Sequence, residues 1–195
     1  MADPVQLDPR QYTGTYKLIG GAPALDFANL VSYRGTDREH DWLEPFSNIH
    51  RWAAAAGLDA PVAGGAAELR GLREVIVRVF LAVAEGRTPG PNDIDSIGAR
   101  AAGAWARRRL RFPRGAAAAR WADPAPSLVT ELALNAADLL TSDDSMGRIA
   151  ACDECRWLFL DTTRNRSRRW CDPADCGNRA RQRRHYRRHA RAQAR

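Results

Sequence analysis

All four cysteines of this chain fall within one stretch: Cys152, Cys155, Cys171 and Cys176, spaced as C-x2-C, fifteen residues, then C-x4-C. Two close pairs on separate turns can each offer two thiolates, and together they close a tetrahedron around Zn²⁺. Two disulfides would need an oxidising compartment, for which nothing in the sequence speaks. A redox C-x-x-C would leave the second pair unexplained. A shell of four thiolates has no open position for water, so the expected zinc is structural rather than catalytic. Arg148 to Ala151 and Trp157 to Asp161 read as strands of a hairpin with Cys152 and Cys155 at its tip. Trp157, Phe159 and Trp170 are the expected small core, and the metal supplies folding energy that so few apolar residues cannot. His185 and His189, one helical turn apart, offer a further pair of ligands, but with four thiols present they read as part of a basic face.

Charge is segregated along the chain. Of the 195 residues, the last forty carry thirteen arginines against Asp161, Asp172 and Asp175, a net of +10. The rest holds 17 basic and 20 acidic groups, a net of −3, and Lys17 is the one lysine. A basic end on a mildly acidic body points to a polyanion as that end's partner. From Gly177 onward there is no proline and no acidic residue, and the Ala, Arg and Gln content favours a helix. Arg179, Arg183, Arg187, Arg191 and Arg195 recur every four residues, with Arg181, Arg184 and Arg188 beside them. Like charges one turn apart repel by a few tenths of a kcal/mol per pair, so such a helix firms up against a polyanion. A membrane surface would want an apolar face, and Tyr186 is the one large nonpolar side chain there. Duplex DNA fits better, with arginines on phosphates and one or two on guanine edges. RNA is the nearest alternative, with Trp157 and Trp170 stacking bases.

The preceding residues read as a mainly helical body. A strand at Tyr16 to Ile19 ends at Gly20-Gly21, and Pro23 opens a helix to about Tyr33. A polar loop, Arg34 to His40, leads to a second helix opened by Pro45 and stopped by Gly57. Leu69, Leu72, Ile76, Val79, Phe80 and Val83 stripe the clearest helix, Ala66 to Glu85. Asn92 is read as the cap of another, with Ile94, Ile97, Ala101 and Trp105 facing inward. Arg109 to Phe112 is expected to pair with Ala119 to Ala122, and Ser127 to cap the last body helix. The polar Ser142 to Ser145 marks the expected boundary between residues 1–145 and 146–195. The fold class is therefore α+β: a mainly α-helical N-terminal domain with a small β-hairpin element, then a four-cysteine zinc finger of β-hairpin and basic helix. No apolar run is long enough to span a bilayer and the first dozen residues do not resemble a signal peptide, so a soluble cytoplasmic protein is expected. There is no H-E-x-x-H, phosphate loop or nucleophile elbow, and an enzyme is not expected.

Two stretches resemble known families. Cys152 and Cys155, then Leu158-Phe159-Leu160-Asp161, Asn165 to Cys171, and Cys176-Gly177-Asn178-Arg179 together resemble the CGNR zinc-finger family. The resemblance implies that the four cysteines bind zinc and that Asn178 and Arg179 begin a DNA-contacting helix, continued by Arg181, Arg183, Arg184, Arg187 and Arg188. Gly20 to Asn29, Asp41-Trp42-Leu43 and Trp52 are similar to landmarks of the partner domain called ABATE. This second resemblance implies a sensing domain and, for the whole chain, a bacterial-type, stress- or ligand-responsive transcription regulator. Asp26 and Asn29, a turn apart near a helix start, are the candidate contacts for a small-molecule effector, with capping and loop hydrogen bonds the plainer reading. A homodimer is admitted, although no heptad pattern announces one.

Overall fold

The helix over Ala66–Ala84, at the centre of the molecule, follows from its sequence stripe. In the computed structural model, which describes residues 3–193, three other helices and one antiparallel hairpin pack against it. The N-terminal half runs β1 (Pro4–Val5), β2 (Tyr16–Lys17), α1 (Pro23–Ala28), β3 (Val31–Ser32), β4 (His40–Asp41), α2 (Asn48–Ala55) and α3 (Ala66–Ala84). It continues through α4 (Pro91–Arg107), β5 (Arg109–Arg111), β6 (Arg120–Ala122), α5 (Leu128–Leu140) and α6 (Asp143–Met146). The C-terminal part is β7 (Ile149–Ala151), β8 (Leu158–Leu160) and α7 (Cys176–Gln193). The strands pair β1-β2, β3-β4, β5-β6 and β7-β8, each pair antiparallel and by itself. Helix α3 touches α1, α4, α5 and the β7-β8 hairpin, burying Leu69, Leu72, Ile76, Val79 and Phe80 fully.

The helix expected from Pro23 to Tyr33 is shorter: α1 stops at Ala28, with Asn29 as its C-cap. Tertiary bonds override local propensity here. Trp42 N donates to Leu30 O at 2.9 Å, and Val31 pairs with Asp41, so the chain must leave the helix to reach β4. The Asp41-Trp42-Leu43 landmark has a structural reason. Asp41 takes two bonds, 2.6 and 2.8 Å, from the buried Arg73 guanidinium of α3, while the Trp42 indole donates to Ser32 Oγ at 2.9 Å. The second helix begins at Asn48 rather than Pro45, and Asn48 holds Asp8 O and Trp42 O, both at 2.9 Å.

Helix α4 corrects two expectations. It starts at Pro91 with Gly90 as N-cap, so Asn92 lies inside its first turn. Ile97, Ala101 and Ala104 face inward, while Ile94 is 36% and Trp105 49% exposed. Alanines let α4 approach Leu134 of α5 closely. Trp105, one residue past Ala104, is thereby turned to meet Trp121 edge-to-face across 6.4 Å. The Arg109 to Phe112 pairing forms as expected, with Leu110 opposite Trp121, but both of these side chains are exposed. Ser127 caps α5, accepting from Thr130 N at 3.2 Å.

The polar stretch at Ser142 to Ser145 is not extended: Ser142 caps the short helix α6. The core runs across it. Trp157, Leu158, Phe159 and the cysteines belong to one buried cluster with Tyr16, Phe27, Trp52 and Phe80. Leu160 N donates to Gly20 O at 2.8 Å. A Cβ at Gly20 would sit 2.8 Å from Asp26 N, so only glycine brings this loop close enough. Among the described residues no helix is long and apolar enough to cross a membrane.

Candidate metal centre and basic helix

Four elements deliver the four thiols. Cys152 follows β7, Cys155 lies in the turn before β8, Cys171 ends the loop after β8, and Cys176 is the first residue of α7. The turn is set by Arg156 at φ 66° and by bonds from Cys152 N to Trp157 O, 2.8 Å, and from Arg156 N to Cys152 O, 3.0 Å. The return loop is gathered by Asp161, which is buried and accepts from Thr163 N at 2.9 Å and Arg168 N at 2.8 Å. Asp153 N then bonds Arg169 O at 3.1 Å, bringing Cys171 back to the hairpin tip.

The four Sγ atoms lie within 4.8 Å of one another, and all four cysteines are buried and free. Cys155 and Cys171 sulfurs are 3.5 Å apart, those of Cys171 and Cys176 3.6 Å. A tetrahedron with metal–sulfur bonds of about 2.3 Å has edges of about 3.8 Å, so the donor set fits a four-thiolate ion with little adjustment. Soft sulfur donors exclude a calcium- or magnesium-type site. The crowding of the four thiols splits their acidities: the neighbouring Cys155, Cys171 and Cys176 hold Cys152 well below the ordinary thiol range. The Cys152 sulfur in turn pushes Cys155 and Cys171 up. A cation at the centre would bring all four to thiolate. Glu154 N at 3.4 Å from Cys152 Sγ and Arg179 Nη2 at 3.6 Å from Cys176 Sγ help disperse the negative charge of such a shell. His185 and His189 are not in the cluster; their Nε2 atoms face each other at 3.0 Å on α7.

Helix α7 therefore starts on a residue of the four-thiol cluster. Its first two turns are fastened further: Gly177 N donates to Asp172 O at 3.1 Å, and Lys17 pairs with Asp172 at 2.8 Å. Arg179 pairs with Asp175 at 2.8 Å and reaches over the Tyr33 ring; Arg183 pairs with both carboxylate oxygens of Glu154 in the C-x-x-C turn. These two arginines, expected as DNA contacts, are thus engaged by the protein. Asn178, Arg181, Arg184 and Arg187 are exposed, and no carboxylate pairs with these three arginines among the described residues. Arg181, Arg184 and position 188 follow at three- and four-residue intervals, one face of the helix. The Arg188 side chain, like residues 194 and 195, lies outside the described ones.

Trp157 and Phe159 pack as expected, but against the body rather than as a separate core. The Trp157 indole donates to Val31 O at 3.0 Å and its ring lies 5.4 Å from Tyr16, whereas Trp170 is only half-buried. The candidate effector contacts are also built into this junction. Asp26 Oδ1 accepts from Ile19 N at 2.8 Å and Gly20 N at 2.7 Å; burial pushes its carboxyl up to about 6 against those bonds. Asn29, 2% exposed, donates to Leu158 O at 2.8 Å and accepts from Leu158 N at 2.7 Å, pairing with the outer edge of β8 as a strand would. Sequence reasoning missed that role, and also a small cavity beside Tyr33 and Arg179. No local pattern signals either one, because each depends on residues far apart in the chain.

The ABATE family model, described as "Putative stress-induced transcription regulator", matches residues 21–143. The CGNR zinc finger model matches residues 148–189, which contain all four cysteines and most of α7. A search of curated proteins found no match. With the first match alone spanning more than half of its length, the chain belongs to the ABATE family and carries a CGNR zinc finger after that domain.

Proposed function

We propose that the protein is a transcription regulator that binds duplex DNA through α7, with a structural Zn²⁺ on Cys152, Cys155, Cys171 and Cys176. The observation that carries this reading is the row of exposed, carboxylate-free arginines on a helix whose first residue belongs to the four-thiol cluster. The metal would hold the base of α7, with Arg179 and Arg183 fixing its direction. Asn178, Arg181, Arg184, Arg187 and Arg188 would then meet phosphates and base edges. The reading divides the work between residues 1–145, a regulatory body, and 146–195, the contact module. Four reduced thiols suit the cytoplasm. A closed thiolate shell suits a non-enzymatic role. RNA is less well supported, since Trp157 is buried with its indole N–H engaged and offers no face for base stacking.

The test is fluorescence anisotropy of a labelled duplex against the zinc-loaded protein over a range of salt. About five neutralised phosphates give a slope of log K on log salt near about −4.5. Replacing Arg181, Arg184 and Arg187 together by Gln should make that slope shallower by about 3. Unchanged affinity and slope in that variant, or stronger competition by single-stranded RNA than by duplex, would overturn the assignment.

A further inference from the structure

Tyr33 is at odds with its surroundings. Its φ of 52° puts a bulky side chain in the left-handed region, a conformation that costs about 1–3 kcal/mol and persists where neighbouring structure enforces it. The residue is only 7% exposed, yet its hydroxyl has no hydrogen-bond partner among the described residues. Burial raises this phenol to about 12, so at neutral pH it is a donor. The Nε of Arg179 is likewise buried and without a partner, although the same guanidinium pairs with Asp175. Both residues line one cavity of about 40 Å³ beside the cysteines, with Tyr12, Ser32 and Trp157 in its wall and two carboxylates, Asp172 and Asp175, each already paired with a cation of the same wall, Lys17 and Arg179. That is room for about three waters, or for one small oxyanion.

The orphaned groups are both donors. Lys17 adds a cation at 2.8 Å from Asp172, and Arg38 lies over the Tyr33 ring at 4.0 Å. Buried donors left without an acceptor are costly, at about 1–3 kcal/mol each, unless something accepts from them. An adjoining groove of about 390 Å³, which shares Tyr12, Gly14 and Arg179 with the cavity, gives a larger molecule space for the rest of its body; Asp37 and Glu39 on its rim discourage a second anionic group there.

We propose that this cavity is an oxyanion site, in which a carboxylate or phosphate group accepts from the Tyr33 hydroxyl and the Arg179 Nε–H. Asp26 and Asn29, whose side chains are held by backbone bonds, are not in its wall. An anion here competes with Asp175 for Arg179 and so acts on the first turn of α7. That regulatory consequence rests on the DNA-binding reading; the site itself does not.

The test is calorimetric titration of the full-length, zinc-loaded protein with inorganic phosphate and with acetate, at ionic strength held constant with chloride and without DNA. Saturable binding of one anion per chain is expected. Tyr33→Phe, which keeps the ring and its backbone preference, should weaken it by about tenfold or more, as for loss of one bond to a charged acceptor. Arg179→Lys, which keeps the charge but removes the Nε–H, should weaken it similarly; because Arg179 also lies 3.6 Å from Cys176 Sγ, zinc content is measured in both variants and the comparison is made at one zinc per chain. No saturable binding of either anion, or equal affinity in the variants, overturns the site. Because no DNA is present, either result leaves the duplex-binding test standing by itself. A Tyr33→Phe protein that binds phosphate weakly but DNA normally identifies a free small anion as the occupant; a matching loss of duplex affinity identifies a DNA phosphate.

Discussion

Asn29 is the residue through which the structure makes its strongest quantitative demand. Its amide pairs with both outward-facing backbone groups of Leu158, at 2.8 and 2.7 Å, across 129 positions of sequence. Leu158 is 2% exposed, so in Asn29→Ala neither its N–H nor its C=O can turn to water. Leaving one buried backbone group unpaired costs about 1–3 kcal/mol, so the pair is worth about 2–6 kcal/mol, against a total stability of about 5–15 kcal/mol for a folded domain. Urea denaturation of the zinc-loaded protein, followed by tryptophan fluorescence and far-ultraviolet dichroism, measures the loss. The same substitution frees the hairpin that carries Cys152 and Cys155, so zinc should pass to a chelator faster than from the parent protein. A change below about 0.5 kcal/mol, the range of ordinary surface substitutions, would refute the view that Asn29 joins the finger to the body.

Three further outcomes are expected. Burial raises Asp26 to about 6, so its contribution to stability is full below about pH 4 and is lost as pH rises through 6. Asp26→Asn should therefore gain on the parent by about 3 kcal/mol between those limits; the comparison at each pH cancels the metal's own dependence, and a flat difference would contradict the assignment. Stripping the metal with a strong chelator should shift tryptophan emission to the red and lower the melting temperature of the whole chain, because Trp157 shares its core with Tyr16; a body transition indifferent to chelation would count against the common core. Phe80→Ala, at a fully buried position of α3, should cost about 3–5 kcal/mol in the same urea titration, and a cost below 1 kcal/mol would mean that α3 is not the centre of packing.

What the sequence disclosed follows from the range of the forces involved. Leu69 to Phe80 announced α3 because a helix buries residues at its own short period, and the cysteine spacing announced a metal centre because ligand geometry restricts spacing. Helix α1 ends five residues before the sequence pattern predicts, since its end is set by Asp41 and Leu158 rather than by neighbours in sequence. The helical spacing predicts Trp105 inside, yet alanines carry the α4–α5 contact and leave the indole to Trp121. The arginines of α7 looked equivalent as a repeat. The folded hairpin brings Glu154 to Arg183, whereas Arg179 answers Asp175 four residues before it in sequence, and Arg181, Arg184 and Arg187 have no carboxylate partner among the described residues.

The account depends most on a four-sulfur ion holding the base of α7. Zinc-edge X-ray absorption on the purified full-length protein addresses it directly. One zinc per chain with four sulfur neighbours at about 2.3 Å is the predicted spectrum. Nitrogen or oxygen neighbours at about 2.0–2.2 Å in place of any sulfur, or a folded protein that takes up no metal, would contradict it.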